Sequence, residues 1–148
     1  MHEHNFLQSD QEYSMKKDST APIRVLLVDD ETAFSTPLAK RLTRRGMDVS
    51  TAEDGTDAFA MLETGQIDVV VLDLLMPGIN GMQVLKVIKK QFSEVQVIIL
   101  TGNGRMSDGL KALAAGAYNF LFKPVEIDVL AKLIEEAAAS AQTKKPTK

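Results

Sequence analysis

Through the middle of this chain, short apolar runs with the composition of β-strands alternate with segments in which apolar residues recur at helical spacing. The five runs cover residues 23–28, 47–52, 68–75, 95–100 and 117–122. After the first run, Phe34, Leu38 and Leu42 recur at the spacing of a helix face, and comparable spacing follows every other run. The pattern therefore predicts five β-strands, each followed by an α-helix.

This alternation favours an α/β fold with one parallel sheet. Strands that are apolar almost throughout are typical of a sheet covered by helices on both faces. Right-handed crossovers then give a doubly wound arrangement, in which ligands bind beyond the carboxyl ends of the strands. We expect one domain at residues 22–140, between a flexible leader at 1–21 and a polar tail at 141–148.

Two of the predicted helices have irregular sequences. Pro37 would lie inside the first helix, where an interior proline costs about 3 kcal/mol. Ser35-Thr36-Pro37 also resembles a cap followed by proline at the first helical position, so we expect a distorted opening turn, with the regular helix beginning near Ser35. The fourth helix has Leu110, Leu113 and Ala114 at helical spacing, but Gly104 and Gly109 near its start predict low local stability.

Composition excludes several classes of function. The 148-residue chain has a net charge of −3, which gives no support to direct nucleic-acid binding. It contains no cysteine, which excludes disulfides, thiolate nucleophiles and cysteine-bound zinc. Neither a signal sequence nor an apolar run of membrane-spanning length is present, so we expect a cytoplasmic protein that does not insert into membranes. His2 and His4 fit a disordered tail better than half of a metal site.

Polar residues collect where the predicted strands end. Asp29-Asp30-Glu31 follows the first strand, Asp73 lies near the end of the third, and Thr101 and Lys123 follow the fourth and fifth. If these strands are neighbours, the carboxylates, the hydroxyl and the ammonium converge at one edge of the sheet. Considered separately, each has a plainer interpretation, such as an acidic helix start, a strand-end cap or a solvated lysine.

Together, these groups suit phosphoryl transfer. Clustered carboxylates repel one another unless a cation lies between them, and oxygen ligands with open positions favour Mg²⁺. Lys123 and Thr101 can contact phosphoryl oxygens, and an aspartate nucleophile would form an acyl phosphate. Since phosphoryl transfer depends mostly on positioning and charge neutralisation, this set of groups could support it.

Four motifs in register carry a family resemblance. VLLVDDE, VVVLDLLMPGINGMQVL, VIILTGNG and GAYNFLFKP occur in this order, and the similarity covers about residues 22–140. The chain resembles the receiver domain of response regulators in two-component signalling. The resemblance implies a flavodoxin-like (βα)5 fold with strand order 2-1-3-4-5.

The resemblance also implies a role for each residue of the site. Asp73 would be the phosphoacceptor for a phosphohistidine on a sensor histidine kinase or phosphotransfer protein. Asp30 would bind Mg²⁺ directly and Asp29 mostly through water, and the carbonyl of Leu75 and the carboxylate of Asp73 would complete the protein's ligands. Lys123 would pair with Asp73 at rest and with the phosphoryl group afterwards.

The implied output is a conformational switch. Thr101 would move towards the phosphoryl group and Phe120 would turn inward with it. The face formed by the fourth helix, fifth strand and fifth helix would then control a downstream protein or form a homodimer. The only expected chemistry is self-catalysed gain and loss of the phosphoryl group, so the chain is not expected to be an enzyme for another substrate.

Three alternatives differ in class. A phosphatase with an aspartate nucleophile commonly has a second acid two residues later, where this chain has Leu75. A flavin- or nucleotide-binding domain would need a phosphate loop after the first strand, where Asp29-Asp30-Glu31 stands. A receiver that never becomes phosphorylated conflicts with the full set of site residues. The sequence fits both a stand-alone receiver and a piece of a longer regulator.

Overall fold

The protein folds as five consecutive β-α units. The computed structural model describes residues 21–76, 78, 80–102 and 105–144. Most of the predicted leader, the last part of the predicted tail and Gly104 lie outside these residues. The strands are β1 (Arg24–Val28), β2 (Asp48–Ala52), β3 (Val69–Leu72), β4 (Gln96–Thr101) and β5 (Asn119–Phe122). The helices are α1 (Thr32–Arg44), α2 (Gly55–Leu62), α3 (Gly81–Gln91), α4 (Met106–Ala114) and α5 (Ile127–Lys144).

All five strands pair in parallel in the order β2-β1-β3-β4-β5. Val28 at the end of β1 pairs with Ala52 at the end of β2 and with Leu72 at the end of β3. Thr101 pairs with Phe122, so β4 and β5 also end side by side. This topology confirms the predicted doubly wound fold, and it brings the residues that follow each strand to one edge of the sheet.

The core consists of two apolar layers, one on each face of the sheet. Successive β1 residues alternate between them, with Leu26 in one layer and Leu27 in the other. The layer containing Leu26 packs against α2, α3 and α4, and the layer containing Leu27 packs against α1 and α5. Because both faces are covered, the edge at the strand ends remains as the place where polar groups can meet solvent.

Helix α1 begins earlier than expected. It starts at Thr32 and contains Pro37, so the prediction of a regular helix from about Ser35 is wrong. The first turn is closed by backbone N–H groups of Phe34 and Ser35, which donate to the Glu31 carbonyl at 2.9 and 3.0 Å. Pro37 cannot donate to the Ala33 carbonyl, but both residues are exposed, so water can hydrate that carbonyl.

Helix α4 buries small residues and exposes its large ones. Gly109 and Ala112 face the interior, whereas Met106, Leu110 and Leu113 have exposed fractions of 60%, 56% and 37%. The apolar spacing that identified this helix therefore marks mainly its outer face.

Helix α5 continues to Lys144, inside the segment predicted as a tail. Within the described ranges, no helix is both long enough and apolar enough to span a bilayer.

Candidate functional site

The sheet fixes the backbone of two acidic residues at its carboxyl edge. The Asp29 N–H donates to the carbonyl of Ala52 on β2, and the Asp73 N–H donates to the carbonyl of Val28 on β1, each at 3.0 Å. Both aspartates therefore extend the parallel pairing just beyond their strands. Their side chains are buried, with residue exposures of 6% and 5%.

Asp29, Asp30 and Asp73 form one carboxylate cluster. Each contributes an oxygen, and these oxygens all lie within 4.8 Å of one another, with Asp30 exposed to solvent. The N–H of Glu31 donates to Asp29 Oδ1 at 2.9 Å, and the N–H of Leu75 donates to Asp73 Oδ1 at 3.1 Å. Three clustered carboxylates with one side open to water fit a partly hydrated Mg²⁺ ion.

Lys123 supplies the positive charge of the site. Its Nζ lies 2.7 Å from Asp29 Oδ2 and 2.8 Å from Glu31 Oε1, but 3.7 Å from Asp73 Oδ2. The ammonium also lies 4.3 Å from the centre of the Phe34 ring, within cation–π range. The shortest ion pairs of Lys123 are therefore with Asp29 and Glu31, and its contact with Asp73 is too long for a hydrogen bond.

The pKa values reflect burial and this ion-pair network. Burial raises the pKa of Asp29, an effect opposed by Lys123 and increased by the charge of Asp73. The hydrogen bond from Lys123 lowers the pKa of Glu31. Burial alone would lower the pKa of Lys123, but its hydrogen bonds to Asp29 and Glu31 and the nearby carboxylate charges raise it. Lys123 is consequently held as a cation beside the cluster.

Thr101 ends β4 with its side chain buried. The residue is 2% exposed, and its Oγ1 has no hydrogen-bond partner among the described residues. Its carbonyl accepts the backbone N–H of Lys123 at 2.9 Å, which ties the ends of β4 and β5 together. A buried hydroxyl without a partner costs about 1–3 kcal/mol, so Thr101 would gain from an acceptor brought to this edge.

Phe120 on β5 packs against α4. A Cβ added to Gly109 would lie 2.3 Å from two carbons of the Phe120 ring, so the ring fills the space a side chain at 109 would need. The ring also makes an edge-to-face contact with Phe122, with centroids 5.6 Å apart. Phe120, the predicted switch residue, thus packs directly against α4.

Two features of the site were not found by sequence reasoning. The Glu31 side chain contacts Lys123, although the sequence indicated only that Glu31 belongs to an acidic segment. Gly81 lets α3 approach the loop after β3, because a Cβ there would lie 2.4 Å from Leu74 Cα and 2.5 Å from the Asp73 carbonyl oxygen. The small residue at a helix start directly after the site was the signal for this close approach.

Residues 25–135 match the family model of the response regulator receiver domain. The chain belongs to this family. It is 39% identical over 119 residues to the transcriptional regulatory protein GlrR of Escherichia coli K12, covering 80% of this chain and 27% of GlrR. It is 38% identical over 108 residues to the transcriptional regulatory protein TcrA of Mycobacterium tuberculosis H37Rv, covering 73% of this chain and 43% of TcrA. The matched region thus spans less than half of the length of each of these relatives.

Solved receiver structures share the fold. A response regulator receiver domain protein from Methanospirillum hungatei superimposes with a TM-score of 0.79 at 25% identity, covering 84% of this chain and 99% of that one. The beryllofluoride-activated NtrC4 receiver domain dimer gives a TM-score of 0.75 at 32% identity, covering 80% of this chain and 98% of that one. These similarities agree with the strand order of the sheet.

Proposed function

We propose that this receiver is a signalling switch that accepts a phosphoryl group on Asp73 from a phosphohistidine. The donor would be a sensor histidine kinase or a phosphotransfer protein. One observation carries the proposal. Carboxylate oxygens of Asp29, Asp30 and Asp73 lie within 4.8 Å of one another, and the Lys123 ammonium lies beside them. A buried nucleophile, an acidic ion site and a nearby cation are the parts that phosphoryl transfer needs.

In the proposed reaction, a carboxylate oxygen of Asp73 attacks phosphorus. The new P–O bond forms as the P–N bond breaks, and the imidazole nitrogen of the donor keeps the electron pair. Mg²⁺ held by Asp29, Asp30, Asp73 and the carbonyl of Leu75 would neutralise charge on the phosphoryl oxygens. Lys123 would move from its carboxylate partners to the phosphoryl group, which supplies stronger acceptors.

The proposed output passes from Thr101 and Phe120 to α4. The buried Thr101 hydroxyl would donate to the phosphoryl group, and Phe120 would change its packing against Gly109. The exposed apolar positions Met106 and Leu110 give the α4-β5-α5 face a surface suited to a downstream protein or a second copy of the chain. In this proposal the protein acts in the cytoplasm and turns over no substrate other than its own phosphoryl group.

Acetyl phosphate tests the proposal without a kinase. The protein is incubated with and without Mg²⁺, and the intact mass is followed beside Asp73→Asn and Asp48→Asn. Asp48 is an exposed aspartate at the start of β2, so its variant controls for the loss of one carboxylate away from the site. We expect a Mg²⁺-dependent gain of one phosphoryl group in the unaltered protein and in Asp48→Asn.

Three results would contradict the proposal. Phosphorylation that persists in Asp73→Asn would move the acceptor to another residue. A folded protein that neither gains mass nor binds Mg²⁺ would favour a receiver that works without phosphate. Continuous release of phosphate from unrelated monoesters would favour the phosphatase alternative.

A further inference from the structure

The resting position of Lys123 is set by three competing carboxylates together with the Phe34 ring. Its ammonium makes short contacts with Asp29 and Glu31, at 2.7 and 2.8 Å, and a long one of 3.7 Å with Asp73. To hydrogen-bond Asp73 or a phosphoryl group there, Nζ has to move by about 1 Å towards it. The groups that hold Lys123 in its present place therefore oppose this movement.

Glu31 differs from Asp29 because its side chain has no other role in the described structure. Asp29 belongs to the carboxylate cluster, whereas the Glu31 side chain is 64% exposed and makes no capping hydrogen bond to α1. The backbone of Glu31 closes the first turn of α1 and its N–H donates to Asp29, and both contacts are independent of its side chain. The carboxylate of Glu31 can thus be removed without changing the start of the helix.

We propose that Glu31 is a positioning residue that holds Lys123 away from Asp73 and thereby slows phosphoryl acceptance. The inference rests on the proposed function of Asp73. An exposed ion pair is weak, so an arriving phosphoryl group can displace Glu31 from Lys123. Glu31 would set the rate at which the site accepts phosphate without preventing the reaction.

A simpler effect of the same charge has to be distinguished. The Glu31 carboxylate could act by repelling an anionic phosphodonor, with no effect through Lys123. Repulsion would weaken donor binding, so its removal would lower the half-saturating donor concentration. Release of Lys123 would instead raise the maximal rate at an unchanged half-saturating concentration, because it changes the step after binding.

The test measures phosphorylation rates across a range of acetyl phosphate concentrations at fixed Mg²⁺. Glu31→Gln and Glu31→Ala are compared with the unaltered protein by intact mass, since the chain has no tryptophan to report by fluorescence. Glu53→Gln is the matched control, because Glu53 is an exposed acid that follows β2 at the same edge. We expect maximal rates to rise roughly two- to fivefold in both Glu31 variants, the range that loss of an exposed ion pair allows, and to stay unchanged in Glu53→Gln.

A structure of metal-free Glu31→Ala gives a readout that does not depend on phosphorylation. We expect Lys123 Nζ to lie within about 3.2 Å of an Asp73 oxygen. If Lys123 stays on Asp29 alone, the inference is wrong even if Asp73 is the phosphoacceptor. Unchanged maximal rates, or an effect confined to the half-saturating concentration, would also overturn it. If Lys123 moves but no form of the protein is phosphorylated, the failure lies in the proposed function, and the inference about the rate fails with it.

Discussion

Asp29 carries a charge that the fold buries. Burial raises its pKa despite the hydrogen bond from Lys123, so the folded state disfavours the ionised form relative to the unfolded chain. We expect Asp29→Asn to raise the midpoint of thermal unfolding by a few degrees at pH 7 in EDTA, since about 1 kcal/mol shifts the midpoint by roughly 2–8 °C in domains of this size. The Asn side chain can still accept the Glu31 N–H, so that contact is retained.

The stabilisation expected from Asp29→Asn should depend on pH. For an acid whose folded pKa is raised, the destabilisation appears as pH rises through the window between the unfolded and folded values, and it is absent below the ordinary value of 3.8. The advantage of Asp29→Asn should therefore shrink as the pH is lowered towards that value. A variant that melts below the unaltered protein at pH 7 would mean that attraction to Lys123 outweighs burial.

Gly81 is the residue that allows α3 to start against the loop carrying Asp73. A Cβ at this position would lie 2.4 Å from Leu74 Cα and 2.5 Å from the Asp73 carbonyl oxygen, and both of these neighbouring atoms belong to the backbone. We expect Gly81→Ala to lower the free energy of unfolding by about 1–3 kcal/mol and to slow phosphorylation by displacing Asp73. Urea unfolding and acetyl phosphate kinetics measure the two effects. Gln83→Ala, at an exposed position of the same helix, should change neither the free energy of unfolding nor the phosphorylation rate. If Gly81→Ala also leaves both quantities unchanged, the loop that carries Asp73 can move away from the added methyl group at no cost.

At the residue scale, strand ends were the predictable part of the site. Asp29, Asp73, Thr101 and Lys123 could be brought together from sequence because parallel strands in register end at one edge. The resemblance implied Asp73 as the resting partner of Lys123, and that ion pair is present but long, at 3.7 Å. The shorter pairs with Asp29 and Glu31 could not be predicted, because three carboxylates lie within reach of Lys123 and side-chain geometry decides between them. The close approach of Gly81 to Leu74 could not be predicted either, because it depends on the path of an irregular loop and not on a helix or strand repeat.

The packing of α4 on β5 depends on one missing side chain. A Cβ on Gly109 would overlap the Phe120 ring, yet glycine inside a helix costs about 0.5–1 kcal/mol relative to alanine. We expect Gly109→Ala to destabilise the unaltered protein, where the clash dominates. In a Phe120→Ala background it should stabilise by about 0.5–1 kcal/mol, because only helix propensity remains.

Urea unfolding of the four proteins in this cycle measures the coupling between Gly109 and Phe120. A change of sign between the two backgrounds would establish that the ring and the helix backbone compete for the same space. Equal effects of Gly109→Ala in both backgrounds would mean that Phe120 moves away at no cost, and that α4 does not sense its position.

At the element scale, the sequence predicted every strand and helix, but the start of α1, the end of α5 and the outward face of α4 did not follow from it. The start of α1 was set too late because Pro37 was treated as a helix start, whereas an exposed interior proline can be tolerated. The apolar residues of α4 were spaced like a buried stripe, yet Leu110 and Leu113 face outward. Periodicity identifies which residues share a face, but it does not say which face is buried. In α4 the buried side carries Gly109, against which the Phe120 ring packs.

Over the whole molecule, polar groups of the site gather at one edge of an otherwise apolar sheet. The β1, β3 and β4 strands are buried along most of their length, while Asp29, Asp73 and Thr101 are buried polar residues at their ends. The charge of Asp73 raises the pKa of Asp29, which is a sign of carboxylate repulsion in the folded state. Stability should therefore depend on what neutralises this edge.

Mg²⁺ should stabilise the folded protein through this edge. A ligand that binds only the folded state adds about 2.7 kcal/mol at a concentration one hundred times its dissociation constant. We expect the thermal midpoint to rise with Mg²⁺ and to return on adding EDTA, and the response to be lost in Asp30→Asn, whose exposed position leaves the fold intact. Asp48→Asn should respond like the unaltered protein. An equal rise with NaCl at matched ionic strength, or an undiminished response in Asp30→Asn, would mean that general screening and not ion binding at the cluster stabilises the fold.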